Sequence, residues 1–323
     1  MAKTWKEWEK PLIELDEAIA KIEALIATSP EDKQDELGAR LAEVKARRDR
    51  YIDVRYSRLG PWEKTLVARA ERRPYTLDYV TALITEFTEL DGDRRYGADH
   101  AIVGGPGFFN GRPVMVVGHQ KGRNIQERQF RNFGMAKPEG YRKAIRLFDM
   151  ACRFGMPIIT FVDTPAADPG VESESRGISE AIAASTMKMF ELEVPVVSVI
   201  IGEGGSGGAI GIAVGNRVLM QDHAIYSVIP PEGCAAILWR DPEKGPQAAA
   251  ALRLTAESAL ELGLVDAIVP EPKGGAHRDP QQAIHAVRDA VKEHLDALTG
   301  LDGRTLREQR YAKFRAMGRF DGA

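Results

Sequence analysis

The chain has 323 residues, 44% hydrophobic and 28% charged, with a formal net charge of −3. That size and composition describe a globular protein of one large domain or two ordinary ones and exclude a disordered or fibrous chain. The near-neutral balance argues against a general nucleic-acid surface, and the basic run Lys45 to Arg50 reads as a solvated helix face.

Residues 5 to 55 place Leu12, Leu15, Ile19, Ile22, Leu25 and Ile26, then Leu37, Leu41 and Val44, at helical spacing on either side of TSPEDK, which predicts a helical hairpin. Its apolar stripe requires a partner surface, in the body of the chain or on another subunit. Residues 51 to 96 read as mixed helix and loop, with the best helix in TLDYVTALITEF and Thr76 as its N-cap.

From about residue 100 short β-branched strands alternate with helices: AIVGG, RPVMVVGHQ, the helix PEGYRKAIRLFDMACRFG, then PIITFVD. After the loop TPAADPGVESESRG come the helix ISEAIAASTMKMFEL, the strand PVVSVIIG, a glycine loop, a short helix, and the strands RVLMQD and YSVI. A helix PQQAIHAVRDAVKEHLDAL and a basic tail close the chain. This alternation predicts an α/β body with parallel strands buried by helices. The expected division is an N-terminal helical region over 1–98 and an α/β domain with C-terminal helices over 99–323.

The stretch IGEGGSGGAIG carries five glycines between Gly202 and Gly208, directly after an apolar strand. A phosphate cradle, an oxyanion hole and a close-packed turn each use glycine at a strand end. GEGGSG satisfies G-x-G-x-x-G, and Asp222 follows Gly202 at about twenty residues, as a dinucleotide fingerprint asks. The segment before the next strand is short for the required crossover, however, and Gly205 and Gly208 have no part in that motif. A P-loop is excluded because no Gly-Lys-Ser/Thr follows. A tight turn accounts for one or two glycines but not five. Two adjacent amides at a helix start account for them as donors to an oxygen that gains charge, and Gly207 and Gly208 are the expected pair.

Several further stretches stand beside this one: RPYTLDYV (Arg73 to Val80), GRPVMVVGHQKGR (Gly111 to Arg123), RNFGMAKPEGYRKA (Arg131 to Ala144), YSVIPPEGCAAILW (Tyr226 to Trp239) and EPKGGAHR (Glu271 to Arg278). With AIVGG and IGEGGSGGA, over nearly the whole chain, they resemble the carboxyltransferase subunit alpha of bacterial acetyl-CoA carboxylase, within the crotonase-like superfamily. The resemblance implies a spiral of β-β-α units and an active site shared with a beta subunit, in an alpha2-beta2 heterotetramer. It implies transfer of a carboxyl group from carboxybiotin, carried on biotin carrier protein and charged by biotin carboxylase, to acetyl-CoA, giving malonyl-CoA for fatty acid biosynthesis. Gly207 and Gly208 would then form the biotin-side oxyanion hole, with Gly204 and Gly205 as substrate-binding backbone. The alternative is a crotonase-like acyl-CoA hydratase or decarboxylase that works alone.

One stretch departs from that family. TPAADPG has Ala166 where glycine is expected and Asp168 where tyrosine is expected, and Glu172 and Ser175 also differ. The resemblance implies a further substrate-side backbone donor at Ala166, and alanine there keeps its N–H but cannot adopt every glycine conformation.

Among the remaining residues, Lys121, Arg123, Arg128 and Arg131 form a basic cluster that suits CoA phosphates or a subunit-facing helix. Glu232 is either a proton-transferring group or an ordinary acidic helix start. His119 and His277 lack metal-ligand neighbours, so no metal is expected in this chain; the zinc that the resemblance implies would belong to the partner chain. Cys152 and Cys234 lie far apart, outside any C-x-x-C spacing, and support neither a disulfide framework nor a zinc site. The N-terminus lacks a signal-peptide core and the longest apolar runs are too short to span a bilayer, so a cytoplasmic protein is expected.

Overall fold

The computed structural model describes residues 5–318. Its centre is an eight-stranded sheet: β1 (Ile84–Thr85), β2 (Ile102–Phe109), β3 (Arg112–His119), β4 (Ile158–Thr164), β5 (Val196–Gly205), β6 (Arg217–Gln221), β7 (Ile225–Ser227) and β8 (Ala267–Val269). The order is β1-β2-β3-β4-β5-β6-β8, with β7 paired to the far end of β5. From β3 onward all pairs are parallel, whereas β1/β2 and β2/β3 are antiparallel. The expectation of parallel strands therefore holds only past the first hairpin. Asn110 and Gly111, both with positive φ (49° and 74°), make the two-residue connection whose twist suits an antiparallel pair.

Alternation along the central strands feeds two helical layers. Ile158 and Val162 of β4 and Val196 and Ile200 of β5 join Tyr141, Leu147, Phe148, Ala181 and Met189 of the helices Pro138–Arg153 and Ile178–Glu191. Ile159 and Phe161, with Val197, Val199 and Ile201, point the other way onto Tyr79 and Val80 and onto Ile284, Val287, Val291 and Leu295 of the helix Pro280–Leu298. Both faces of the parallel strands are thus dry, and their C-terminal ends are left to build a site.

The helix expected through Phe87 spans Thr76–Leu83 only. Ile84 and Thr85 instead pair with Phe109 and Phe108 at the sheet edge, where β-branched residues find a ladder. The N-cap is Tyr75, not Thr76: the Tyr75 amide donates to Asp78 Oδ2 (2.6 Å), and Thr76 Oγ1 donates to the His119 carbonyl.

The predicted hairpin is present as helices Trp5–Thr28 and Glu31–Tyr56. Its near end is seated on the body. Trp8 packs with Leu66, Val67 and Ala70, and Arg278 donates to Asp16 (2.5 Å). His277 Nε2 lies 3.0 Å from Glu9 Oε1, to which Tyr56 also donates. EPKGGAHR is therefore a clasp for the hairpin, with Glu271 turned inward onto Arg73. The expected basic tail contains a further helix, Gly303–Arg315, whose buried Arg310 donates to the carbonyls of Met189, Leu192 and Val194.

Candidate functional site

β5 runs through Gly205 and the helix Ser206–Ala213 begins at the next residue, so the predicted glycine loop is a strand end joined directly to a helix. Gly204 and Gly205, expected as substrate-contacting loop backbone, lie within β5 opposite Thr164 of β4 and Tyr226 and Ser227 of β7. A Cβ at Gly204 would come 2.8 Å from the Tyr226 ring, one at Gly205 would strike the Pro165 carbonyl, and one at Gly202 would strike the Asp163 carboxylate. At Gly208 it would fall 2.6 Å from the Ala167 amide nitrogen and 2.7 Å from the Ala166 carbonyl carbon. Four of the five glycines thus answer to neighbouring protein atoms. Gly207 is different: its nearest neighbour would be Ile182 at 3.6 Å, ordinary contact.

The same crossing leaves donors at the helix start. With Gly205 as N-cap, the amides of Ser206, Gly207 and Gly208 precede the first residue able to bond within the helix, and the helix dipole adds positive potential there. Gly207 and Ser206 are partly exposed, whereas Gly208 is buried.

Ser206 is the residue that sequence reasoning passes over. Gly204 to Gly208 has the spacing G-x-S-x-G, which was the available signal. Ser206 sits at φ +55°, a region that non-glycine residues rarely adopt, between strand and helix. Among the described residues no histidine is hydrogen-bonded to its hydroxyl, so the elbow lacks the relay of a serine nucleophile.

A chain of buried charge holds this turn. Lys121 Nζ contacts Asp163 Oδ1 (2.8 Å) and Glu203 Oε1 (2.9 Å), the Glu203 amide donates to Asp163 Oδ1 (2.9 Å), and Arg69 Nε donates to Glu203 Oε2 (2.8 Å). Burial alone would raise the Glu203 carboxyl, but Lys121 and Arg69 outweigh it and hold it down to about 2. Burial likewise opposes the Lys121 charge, and Asp163 with Glu203 overcomes it. Arg69, Lys121, Arg128, Tyr75, Phe133 and Pro165 line a cavity of about 190 Å³ next to the turn.

The basic cluster proves to be internally matched. Lys121 is spent on the two carboxylates, Arg123 pairs with Asp78 and covers the Tyr75 ring, Arg128 lies 3.2 Å from Glu71, and Arg131 donates to the His100 carbonyl (3.0 Å). Glu232 opens the helix Pro231–Trp239 and receives two hydrogen bonds from Arg69 (2.5 and 3.2 Å), which removes it as a free base. His119 is fully buried, and burial first, then Lys121, push its imidazole down to about 3. No group of three or more candidate metal ligands occurs among the described residues.

Ala166 does not need glycine geometry, since its φ is not positive. Its amide is held by Thr164 Oγ1 (3.3 Å), and the same hydroxyl donates to its carbonyl (2.6 Å). Asp168 accepts from Asn132 Nδ2 (3.1 Å) and Ser173 Oγ (2.5 Å), pinning the 165–170 loop from both sides. Glu172 and Ser175 remain on the short helix Val171–Ser175, with Ser175 Oγ donating to the Glu172 carbonyl (2.8 Å).

The family model for acetyl co-enzyme A carboxylase carboxyltransferase-like proteins matches residues 5–318. The acetyl-coenzyme A carboxylase carboxyl transferase subunit alpha of Methylobacterium sp. (strain 4-46) is 51% identical over 317 residues, 98% of this chain and 99% of that one. That of Thermus thermophilus is 52% identical over 314 residues, 97% and 98% of the two chains. Among solved structures, transcarboxylase 12S superposes with a TM-score of 0.56 at 19% identity, over 72% of this chain and 42% of that one. A Pseudomonas malonate decarboxylase hetero-tetramer in complex with coenzyme A gives 0.55 at 19% identity, over 68% and 90%. These two likenesses establish the crotonase-like fold. The full-length match at about half identity, with the turn built from Gly202 to Gly208, establishes that the chain belongs to the carboxyl transferase subunit alpha family of acetyl-CoA carboxylase.

Proposed function

We propose that the helix start at Gly207 and Gly208 is the biotin-side oxyanion hole of this carboxyltransferase, and that a beta subunit completes the active site. The observation that carries it is the pair of first-turn amides, presented beside the one glycine of the five that no tight protein contact requires. When bound, carboxybiotin brings the carboxyl group for acetyl-CoA, and its ureido oxygen gains negative charge as the N–CO2 bond breaks. Fixed amides in a low-dielectric cleft favour that charge without reorganising. Gly207 keeps the approach clear. Gly208 lets the helix start press on the 166–167 backbone, so both amides hold one orientation. Lys121 and Asp163 are positioning residues: they tie the ends of β4 and β5 at the base of the turn.

A partner is supported by the surface around the turn. Phe133, Val171, Ile210 and Val228 are 43%, 87%, 44% and 74% exposed, on segments that lead into or out of the site. A second subunit laid there excludes water from both reactants and supplies the donors for acetyl-CoA. The arrangement expected is an alpha2-beta2 heterotetramer served by biotin carrier protein and biotin carboxylase, in the cytoplasm. No helix among the described residues is long and apolar enough to cross a membrane.

The test is reconstitution. Purified chain mixed with the beta subunit of the same organism should form malonyl-CoA from acetyl-CoA and carboxybiotin, and neither chain alone should do so. Efficient synthesis by this chain alone would overturn the shared site.

A further inference from the structure

A second cavity, of about 650 Å³, shares no lining residue with the one beside the glycine turn. It is a groove between the helices Pro138–Arg153 and Ile178–Glu191, closed by residues 93–95. Its wall carries six cations, Arg94, Arg95, Arg142, Arg146, Arg153 and Lys188, against four carboxylates.

Each of those carboxylates has partners of its own, although Asp93 Oδ2 is buried without one. Glu180 lies 3.5 Å from Arg142, and Asp149 and Glu191 hold Lys188 at 3.2 and 3.0 Å. Asp93 Oδ1 accepts from the amides of Arg95, Tyr96 and Gly97 at 2.9, 2.8 and 3.0 Å. Among the described residues Arg94, Arg95, Arg146 and Arg153 therefore have no carboxylate within ion-pair distance. Arg146 turns its terminal nitrogen to the carbonyls of Leu90 (2.9 Å) and Asp91 (3.1 Å), and its buried Nε has no partner. Burial first, then the nearby Arg94 guanidinium, pull the Arg146 pKa down, and the Asp91 and Asp93 carboxylates offset this only in part.

Arg94 stands there at a cost. Its φ is +61°, left-handed backbone for a long side chain, and the Asp93 staple holds the loop in that state. The like-charge repulsion is relieved by an anion of several charges, which would give the strained Arg94 conformation a use. Ile145, Met150, Phe154 and Met187 form an apolar stretch of the same wall, with Phe154 67% and Met187 61% exposed. A polyanion with an attached aromatic group matches both parts, and the volume is that of small-ligand sites.

We propose that this groove binds a nucleoside di- or triphosphate, with its phosphates among Arg94, Arg95 and Arg146 and its base against Phe154 and Met187. The site is independent of the carboxyl-transfer reading, because no residue of the turn takes part.

The test is calorimetry of ADP and of inorganic tripolyphosphate against the full chain and against its complex with the partner subunit, at low salt. ADP should bind, more weakly as salt screens the arginines. Arg94→Gly removes one charge-assisted contact and relieves the positive φ, so ADP should weaken by about tenfold or more while Tm holds or rises. Phe154→Ala should weaken ADP by several-fold and leave tripolyphosphate unchanged. Lys121→Met, at the other cavity, should leave ADP binding unchanged in the folded fraction. Absence of ADP binding at about 1 mM, well above the range of a specific nucleotide site, would overturn the proposal. So would ADP binding insensitive to both Arg94→Gly and Phe154→Ala, or tripolyphosphate binding as tight as ADP with no effect of Phe154→Ala.

Discussion

Gly207 and Gly208 are adjacent, yet the structure separates what a methyl group does at each. At Gly208 a Cβ would sit 2.6 Å from the Ala167 nitrogen and 2.7 Å from the Ala166 carbonyl carbon, and both neighbours are backbone atoms that cannot swing aside. Gly208→Ala therefore forces the helix start away from the 165–170 loop, an overpacking that costs about 1–3 kcal/mol and lowers Tm by several degrees. At Gly207 the nearest atoms are the Ile182 side chain at 3.6 and 3.7 Å, so Gly207→Ala meets ordinary contact and its φ is not positive. Its stability should stay within about 0.5 kcal/mol of the parent, or rise, because glycine costs entropy in a helix. If the Gly207 amide receives the ureido oxygen, the added methyl displaces the ligand. Carboxyl transfer should then fall by about tenfold or more, toward the hundredfold typical of a lost oxyanion donor. The assay is turnover per assembled complex with free biotin carboxylated in the reverse direction, beside a melting curve for each variant. A Gly207→Ala complex that assembles, melts as the parent does and turns over within about twofold of it would refute the oxyanion assignment, since a methyl group beside the donating amide would displace the ligand by more than that.

Lys121→Met should leave the Asp163 and Glu203 carboxylates facing one another without their shared cation and cost about 3–5 kcal/mol in urea unfolding; a second change, Glu203→Gln, should recover part of it, and full stability of the single variant would refute the role. The Glu203 and Glu271 carboxyls are both held down to about 2, against burial, by Lys121 with Arg69 and by Arg73. The unfolded chain then binds more protons as acid is added, so their stabilisation is complete above the ordinary carboxylate value of 4.5 and is lost as pH falls toward 2. Glu271→Gln should flatten the stability-against-pH slope in that window, and an unchanged slope would show that the Arg73 pair does not set it. Ser206→Gly removes a side chain from φ +55° and should raise stability by about 1 kcal/mol; a lowered Tm would show that this backbone is not strained.

Long periodic segments were legible from residues alone. The hairpin, the helix Pro280–Leu298 and the central strands follow from spacing that acts over one or two turns of chain. Short elements were not. The helix after Pro74 loses Ile84 and Thr85 to a strand because Phe108 and Phe109 are there to pair with them, and the helices Pro61–Ala68, Gly245–Leu252 and Gly303–Arg315 carry no strong pattern of their own. The helix Gly303–Arg315 is instead anchored by Arg310 on carbonyls more than a hundred residues away in sequence.

The candidate site divides along the same line. The sequence by itself determined that a strand of β-branched residues must end in five glycines and a helix, and that the amides at that helix start would be free. It did not show that Gly202, Gly204, Gly205 and Gly208 each press on Asp163, Tyr226, Pro165 or Ala166, which leaves Gly207 alone in ordinary contact with its surroundings. Nor did it show that the basic cluster from Lys121 to Arg131 is largely spent on Asp163, Glu203, Asp78, Glu71 and a backbone carbonyl. Helix and strand periodicity come from the chain's own bonds, so neighbours in sequence reveal them. The atom that meets a missing Cβ, or the carboxylate that meets an ammonium, belongs to whichever strand the fold lays alongside, and only the tertiary structure decides that.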